Sequence, residues 1–443
     1  MNLLGLGLNR IKFCKKEINK SMKIGLLTFP RLTNTFSSVS RPTLLAQKLE
    51  PSVLYLSPSF GELVFIEDNN PRHDIDLYLC SIYTRGYNEF IRFSLEVGRQ
   101  KIIAGGYHPT AEPKATLVHA HKVVVGYCDN IDQIIDGKPG IHLGSFGFTH
   151  MRRDLIDMAT MKQVYPDIYP KDISGSMVSS VGCPYDCNFC STPQMSGRQM
   201  RTATLDYVSE EIEDLVQRGV TTVFIRDESF ATHPLVKEVA PLFKNKFRVL
   251  YSFGTSGVYA KHPEILKTLK DSGWHSLNIG LEDVGVKYKK NINIKLGVDN
   301  IHRNGLTHVM SFIVNDDGKT EEEARANYKA LYEAFIDLKP LQVCANFLMP
   351  FPGTKLWEGY KNRVTMADFD RFDSKTPVFT HGPLGEWHKR MLVAVQLKYY
   401  LIEIYNKVRT FDCGDLLHLR MLELAKEFNL NDIAWDQLLE LKV

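Results

Sequence analysis

Apolar residues along this chain follow two rhythms. Between Met22 and Leu143 they come in short continuous runs, "KIGLLTF", "PSVLYLS", "DLYLCSIY", "KIIAGGY" and "KVVVGY", each broken by turn-forming residues. Unalternated runs of this length suit strands buried on both faces of a parallel sheet. "YNEFIRFSLEVGR", between two of them, reads as a helix. Strand, helix and strand in succession predict a small Rossmann-like, doubly wound α/β domain over residues 22–145. Residues 1–21 read as an extension ahead of it. Residues 146–174, with the two prolines of "YPDIYPKD", read as a linker.

From Gly175 strands and helices alternate regularly. "GSMVSSVG" reads as a strand, and "TLDYVSEEIEDLVQRGV" as a helix opened by Thr204 and closed by Gly219. The strands "TTVFIRDESF", "FRVLYSFGTSG", "HSLNIGLED", "THVMSFIVN" and "LQVCANFLMPFPGT" follow. Between them lie the helices "HPLVKEVAPLFKN", "HPEILKTLKDSGW", one ending in "VDNIHRNG", and "TEEEARANYKALYEAFIDLK". Six β/α units within residues 175–358 fall short of the eight that close a full barrel. The expectation is an open, partial (β/α)6 barrel. A helical extension follows over 359–443, as in "WHKRMLVAVQLKYYLIEIYNKV".

Composition adds mostly exclusions. A chain of 443 residues exceeds one ordinary domain. A net charge of +3 gives no argument for a nucleic-acid or membrane-surface partner. No apolar run reaches the roughly 20 residues that span a bilayer. The N-terminus places its apolar residues before its basic ones, the reverse of a secretory signal. Cys14, Cys80, Cys128, Cys344 and Cys413 lie far apart, with no disulfide spacing, and imply a reducing, cytoplasmic setting.

The other three cysteines do change the picture. "GCPYDCNFC" places Cys183, Cys187 and Cys190 in a C-x3-C-x2-C spacing directly after a strand. A structural zinc site asks for a fourth ligand, and none stands at a matching distance. A C-x-x-C redox pair leaves Cys183 without a role. An iron–sulfur cluster held by three thiolates leaves one iron open to a small molecule.

The spacing, with Gly182 before the first cysteine, Phe189 before the third and the β/α units downstream, resembles the radical S-adenosylmethionine (SAM) superfamily. That resemblance implies a 4Fe-4S cluster on the three thiolates, its fourth iron chelating the amino and carboxylate groups of SAM. One electron from the reduced cluster would then break a C–S bond and give a 5′-deoxyadenosyl radical. It also implies SAM contacts at the strand ends: Asp227 and Glu228 of "RDESF" with the ammonium, and Ser256 with carboxylate or ribose. Glu282 of "IGLED" would meet the ribose, and Phe189 would lie beside the adenine. "MPFPGT", Met349 to Thr354, resembles the family's proline-glycine turn after the sixth strand. "VNDDGKTEEE" departs from the turn that relatives carry after the fifth, which puts contacts from Ser311 or Asn315 in question.

In the N-terminal domain, "KIIAGGYHPTAEP" runs a strand into a glycine pair, where ligands of parallel sheets settle. Ahead of such a core it resembles the cobalamin-binding domain of cobalamin-dependent radical SAM enzymes. Gly105, Gly106 and His108, with Tyr83 and Thr84 of the neighbouring loop, are the cobalamin contacts this implies. No D-x-H-x-x-G is present, so no histidine is expected to hold cobalt from below. The implied reaction is methylation or rearrangement of an unactivated carbon centre. The substrate would be a small molecule or natural product, and the partner a one-electron reductant such as flavodoxin or ferredoxin. The alternative is a cobalamin-free isomerase, cyclase or epimerase whose N-terminal domain serves substrate binding.

Overall fold

A computed structural model describes residues 22–29, 52–56, 58–66, 68–156, 173–282, 294–374 and 376–399. The N-terminal extension, much of the linker and the tail beyond residue 399 lie outside these, with Cys14 and Cys413.

The first domain is a six-stranded, all-parallel sheet in the order β2-β1-β3-β4-β5-β6. Its strands are β1 (Lys23–Phe29), β2 (Glu62–Phe65), β3 (Leu77–Ile82), β4 (Ile102–Gly105), β5 (Lys122–Val125) and β6 (Gly140–Leu143). Six of the seven β1 residues are buried, as a central parallel strand requires. Helix α1 (Tyr87–Val97) packs Phe90 and Phe93 edge-on or tilted against Phe29, with ring centroids 5.6 and 5.4 Å away. One predicted run is not a strand. Ser52–Tyr55 of "PSVLYLS" forms a 3-10 turn that buries Leu54, and the place beside β1 goes to β2.

The second domain is an open, six-stranded parallel half-barrel in the order β7-β10-β11-β12-β13-β14. These are β7 (Ser174–Met177), β10 (Thr222–Ile225), β11 (Val249–Gly254), β12 (Trp274–Glu282), β13 (Thr307–Val314) and β14 (Gln342–Phe347). The predicted strand "GSMVSSVG" divides. Beyond β7, β8 (Ser180–Val181) pairs antiparallel with β9 (Arg201–Thr202) and makes a stem for the cysteine loop between them. The stretch "HPLVKEVAPLFKN" also divides, into Val236–Val239 and a 3-10 turn Ala240–Phe243, where Pro241 lacks the N–H that a continued helix needs.

An open barrel leaves two strand edges to satisfy. At β7, fully buried Arg153 donates from Nη2 to the Ser176 carbonyl (2.7 Å) and pairs from Nη1 with Glu211 (2.9 Å) and Asp214 (3.0 Å). At β14, Ala345 N–H donates to Gln396 of the helix Gly382–Tyr399, and Phe347 N–H to the Ser374 carbonyl (2.9 Å). The C-terminal extension reaches further. The turn Met366–Arg371 crosses to the first domain, where Asn88 Nδ2 donates to the Met366 carbonyl (2.9 Å) and Phe369 packs on Tyr87 and His108.

Candidate metal centre at the barrel mouth

Cys183, Cys187 and Cys190 lie on the loop between β8 and β9, half-buried, at the carboxyl end of the first barrel strand. Cys190 N–H donates to the Cys187 carbonyl (3.2 Å), and Cys183 N–H to that of Gly197 (3.3 Å). Gly182 sits at φ +95°, and a Cβ there would lie 2.3 Å from the Gln199 carbonyl, so the entry to the loop accepts only glycine. Burial pushes the Cys183 thiol up to about 11; Cys190, Cys187 and Glu228 are near enough to add to the shift. Among the described residues no three His, Cys, Asp or Glu converge as a single metal ion would need. Three half-buried thiols of one loop, with Cys187 and Cys190 within electrostatic reach of Cys183, are a donor set that a 4Fe-4S unit could take.

The proline-glycine turn packs against this loop. Gln194 Nε2 donates to the Pro352 carbonyl (2.9 Å) and Leu356 N–H to that of Asn188 (2.8 Å). Lys355 and Arg198 both pair with Asp186. The departure after the fifth strand has a structural use. Asp316 accepts from Thr380 N–H (3.0 Å) and Asp317 pairs with Arg363, so this turn anchors the C-terminal extension. Ser311 is bonded to Asn278 (3.1 Å).

The proposed SAM contacts fare unequally. Asp227 is fully buried, and its carboxylate accepts from Ser179 N–H (2.7 Å), Ser179 Oγ (2.7 Å) and Ser180 Oγ (2.6 Å). Burial pushes its carboxyl up, and nearby His233 and these bonds pull it back. Glu228 accepts from Gly182 N–H (3.1 Å) and Ser196 Oγ (2.7 Å); burial raises its carboxyl too. Both carboxylates bond to the segment that carries the cysteines. Ser256 is buried with an Oγ that has no protein partner, and its carbonyl stands 2.2 Å from where a Cβ on Gly297 would be. Glu282 ends β12 at φ +69°, a conformation non-glycine residues rarely adopt outside functional sites, and its carboxylate lies in the space left by Gly280. Phe189 is half-buried within the loop.

The first domain meets the loop at its glycine turn. Thr110 donates to the Met195 sulfur (3.5 Å) and accepts from Gly126 N–H (3.0 Å), which brings the ends of β4 and β5 over the helix Thr192–Ser196. Tyr83 stacks on Tyr107, with centroids 5.6 Å apart. Burial raises both the Tyr107 and the Tyr127 phenols, with Glu228 and Arg226 of the barrel close enough to act on each and Cys190 also near Tyr107. Gly106 has φ +100° and a Cβ there would meet Ile82 N at 2.8 Å, a demand of the fold. Gly105 has no such demand: its Cβ would meet nothing nearer than Val124 at 3.5 Å. Packing alone would therefore admit a methyl group at Gly105. His108 and Thr84 are buried and share a contact of 3.3 Å; His108 stacks tilted on Tyr87 at 3.9 Å, burial drops its imidazole to about 3, and its Nε2 has no hydrogen-bond partner. Tyr107, Tyr127 and Arg226 escaped the sequence reading, and only the neighbouring glycines could have pointed to the first two.

Residues 177–331 match the family model described as the Radical SAM superfamily. Over 309 residues, 64% of this chain, the sequence is 26% identical to bacteriochlorophyllide d C-12(1)-methyltransferase of Chlorobaculum tepidum, covering 65% of that protein, slightly less than two thirds of its length. Among solved structures, the radical S-adenosylmethionine methyltransferase TsrM from Kitasatospora setae, with cobalamin and a 4Fe-4S cluster bound, aligns with TM-score 0.52 and 13% identity over 77% of this chain and 78% of that one. The cobalamin-dependent S-adenosylmethionine radical enzyme OxsB, with aqua-cobalamin and S-adenosylmethionine bound, aligns with TM-score 0.58 and 11% identity over 92% and 71%. Likeness at this identity is one of fold, and it covers the parallel sheet and the half-barrel together.

Proposed function

We propose that this chain, which carries a radical SAM domain at residues 177–331, is a cobalamin-dependent enzyme that methylates an unactivated carbon of a small-molecule substrate. The observation that carries the reading is the meeting of two strand-end sites. The thiol loop lies at the carboxyl end of β7, and the bare glycine end of β4, with Tyr83, Tyr107 and Tyr127, stands against it. Support for methyl transfer comes from the Chlorobaculum tepidum relative and from the combination of domains shared with TsrM and OxsB.

Cys183, Cys187 and Cys190 would hold the cluster, which when bound supplies the electron for SAM cleavage, while cobalamin at Gly105 and Gly106 supplies a methyl carrier. The chain's own contribution is enclosure and orientation. Strand alternation turns Phe224, Tyr251 and Phe253 to the barrel interior, where the first two stack at 4.7 Å, beside Asn278 and Ser311 of the next two strands. Aromatic rings flanked by amide and hydroxyl groups suit a largely uncharged carbon skeleton with one polar edge. A one-electron reductant such as flavodoxin or ferredoxin, and a cytoplasmic setting, complete the proposal. Among the described residues no helix is long and apolar enough to cross a membrane.

The test is anaerobic reconstitution with iron, sulfide and hydroxocobalamin, followed by desalting, a visible spectrum and assay of SAM products under reduction. Near-equimolar corrin with both 5′-deoxyadenosine and S-adenosylhomocysteine is expected. A Cys187→Ala protein that still forms 5′-deoxyadenosine would sink the cluster assignment. Wild-type protein that cleaves SAM but keeps no corrin would remove the methyl-transfer reading.

A further inference from the structure

Two adjacent carboxylates stand at the carboxyl end of β10, and each of their hydrogen bonds runs to the segment carrying the cysteines. We propose that Asp227 and Glu228 are positioning residues that pin the cysteine loop on both sides of its three thiols. The inference rests on the cluster reading above and deepens it.

Asp227 holds the chain where it leaves β7. One oxygen takes Ser179 N–H and the other takes the hydroxyls of Ser179 and Ser180, at 2.6 to 2.7 Å. Glu228 reaches further along the loop. Oε2 takes Gly182 N–H, one residue before Cys183, and Oε1 takes Ser196 Oγ, beyond Cys190 at the end of the helix Thr192–Ser196. Between these points the short β8–β9 pairing supplies only a two-residue stem. Beyond that stem and the contacts with the proline-glycine turn, any part of the loop left unheld would pay ordering entropy whenever a cluster is assembled. Charge-assisted bonds from buried carboxylates remove that cost in advance, and they are about twice as strong as neutral ones.

Asp227 is wholly inaccessible, so its carboxylate acts on the loop alone, while each Glu228 oxygen holds one donor from the loop. The serines matter as much as the carboxylates, because Ser179, Ser180 and Ser196 are buried and have little reach toward solvent. The sequence "SSVG" before the first cysteine and Ser196 after the third are therefore parts of one device.

The experiment compares wild type with Asp227→Asn, Glu228→Gln and Ser196→Ala, each first confirmed as folded by a thermal melt. Hydrogen exchange is read on the apoprotein, and the reduced cluster's electron paramagnetic resonance spectrum and midpoint potential are read after reconstitution. In the carboxylate variants amides of residues 179–196 are expected to exchange at least about tenfold faster, with a shifted spectrum and potential. SAM affinity changes by less than about threefold. Ser196→Ala reproduces the Glu228→Gln effect on the loop's far side only, and the double variant adds nothing beyond Glu228→Gln. Unchanged loop exchange and an unchanged spectrum, with SAM affinity down about tenfold or more, overturn the inference and return both residues to the ammonium. Wild-type protein that takes up no cluster defeats the functional reading instead, since the apoprotein exchange still reports what the carboxylates hold.

Discussion

Gly182 and Gly105 look alike in sequence, each standing where a strand runs into a loop, yet their surroundings separate them. Gly182 has a positive φ and no room for a methyl group beside Gln199. Gly105 has an ordinary backbone conformation and ordinary clearance. Gly182→Ala is expected to cost about 1–3 kcal/mol and to reduce the iron retained after reconstitution. Gly105→Ala is expected to leave stability within about 0.5 kcal/mol while corrin retention falls. Urea denaturation with iron and corrin content read on the same preparations checks both. A Gly105→Ala protein that holds corrin as wild type does would remove that strand end from the cobalamin site. The same scale shows what residue reading leaves open. Asp227 and Glu228 occupy the expected strand end, but sequence does not tell whether a carboxylate faces a ligand or a neighbouring loop. His108 shows the same limit, because Tyr87 and Phe369, which enclose it, come from distant parts of the chain.

Among elements, the half-barrel's stability depends on how its free edges end. Arg153 and Glu211 are both buried, and the arginine also satisfies the Ser176 carbonyl at the edge of β7. Truncating one member of such a pair leaves an uncompensated charge inside the protein, so Arg153→Ala should cost about 3–5 kcal/mol. His150, 2.7 Å from Glu211, is too exposed to replace the guanidinium. The double variant Arg153→Met, Glu211→Leu should recover most of the loss, as apolar pairs of similar volume do. Chemical denaturation midpoints decide, and a double variant no better than Arg153→Ala would mean that the Ser176 carbonyl, not the charge, carries the cost. The β/α alternation, the Thr204 cap and the six-strand count were legible because period and capping are local signals. The β8–β9 stem was not, since two-residue strands carry no period. Ser52–Tyr55 was misread because one buried leucine with apolar neighbours looks like a strand until its backbone partners are known.

At the scale of the whole molecule, the proposed chemistry needs two cofactors on separate sheets to face one substrate, so the relative placement of the domains is part of the site. Phe369 holds that placement. It is buried among Tyr87 and His108 of the first domain, Trp357 of the second and Phe372 of the C-terminal extension, with centroids 5.3 to 6.4 Å away. Phe369→Ala removes the shared side chain from both, at about 3–5 kcal/mol, while leaving the three cysteines and the glycine pair unaltered. Wild type should unfold in one calorimetric transition, and the variant in two, as coupling between domains weakens. The catalytic consequence is more specific. SAM cleavage belongs to the barrel alone, whereas methyl delivery needs both domains in register, and a displacement of about an ångström is enough to cost it. The variant should therefore keep forming 5′-deoxyadenosine while S-adenosylhomocysteine falls relative to it. An equal drop in both products would place Phe369 in the stability of the barrel and leave the register of the two domains to other contacts, of which the bond from Asn88 to Met366 is the next to cut.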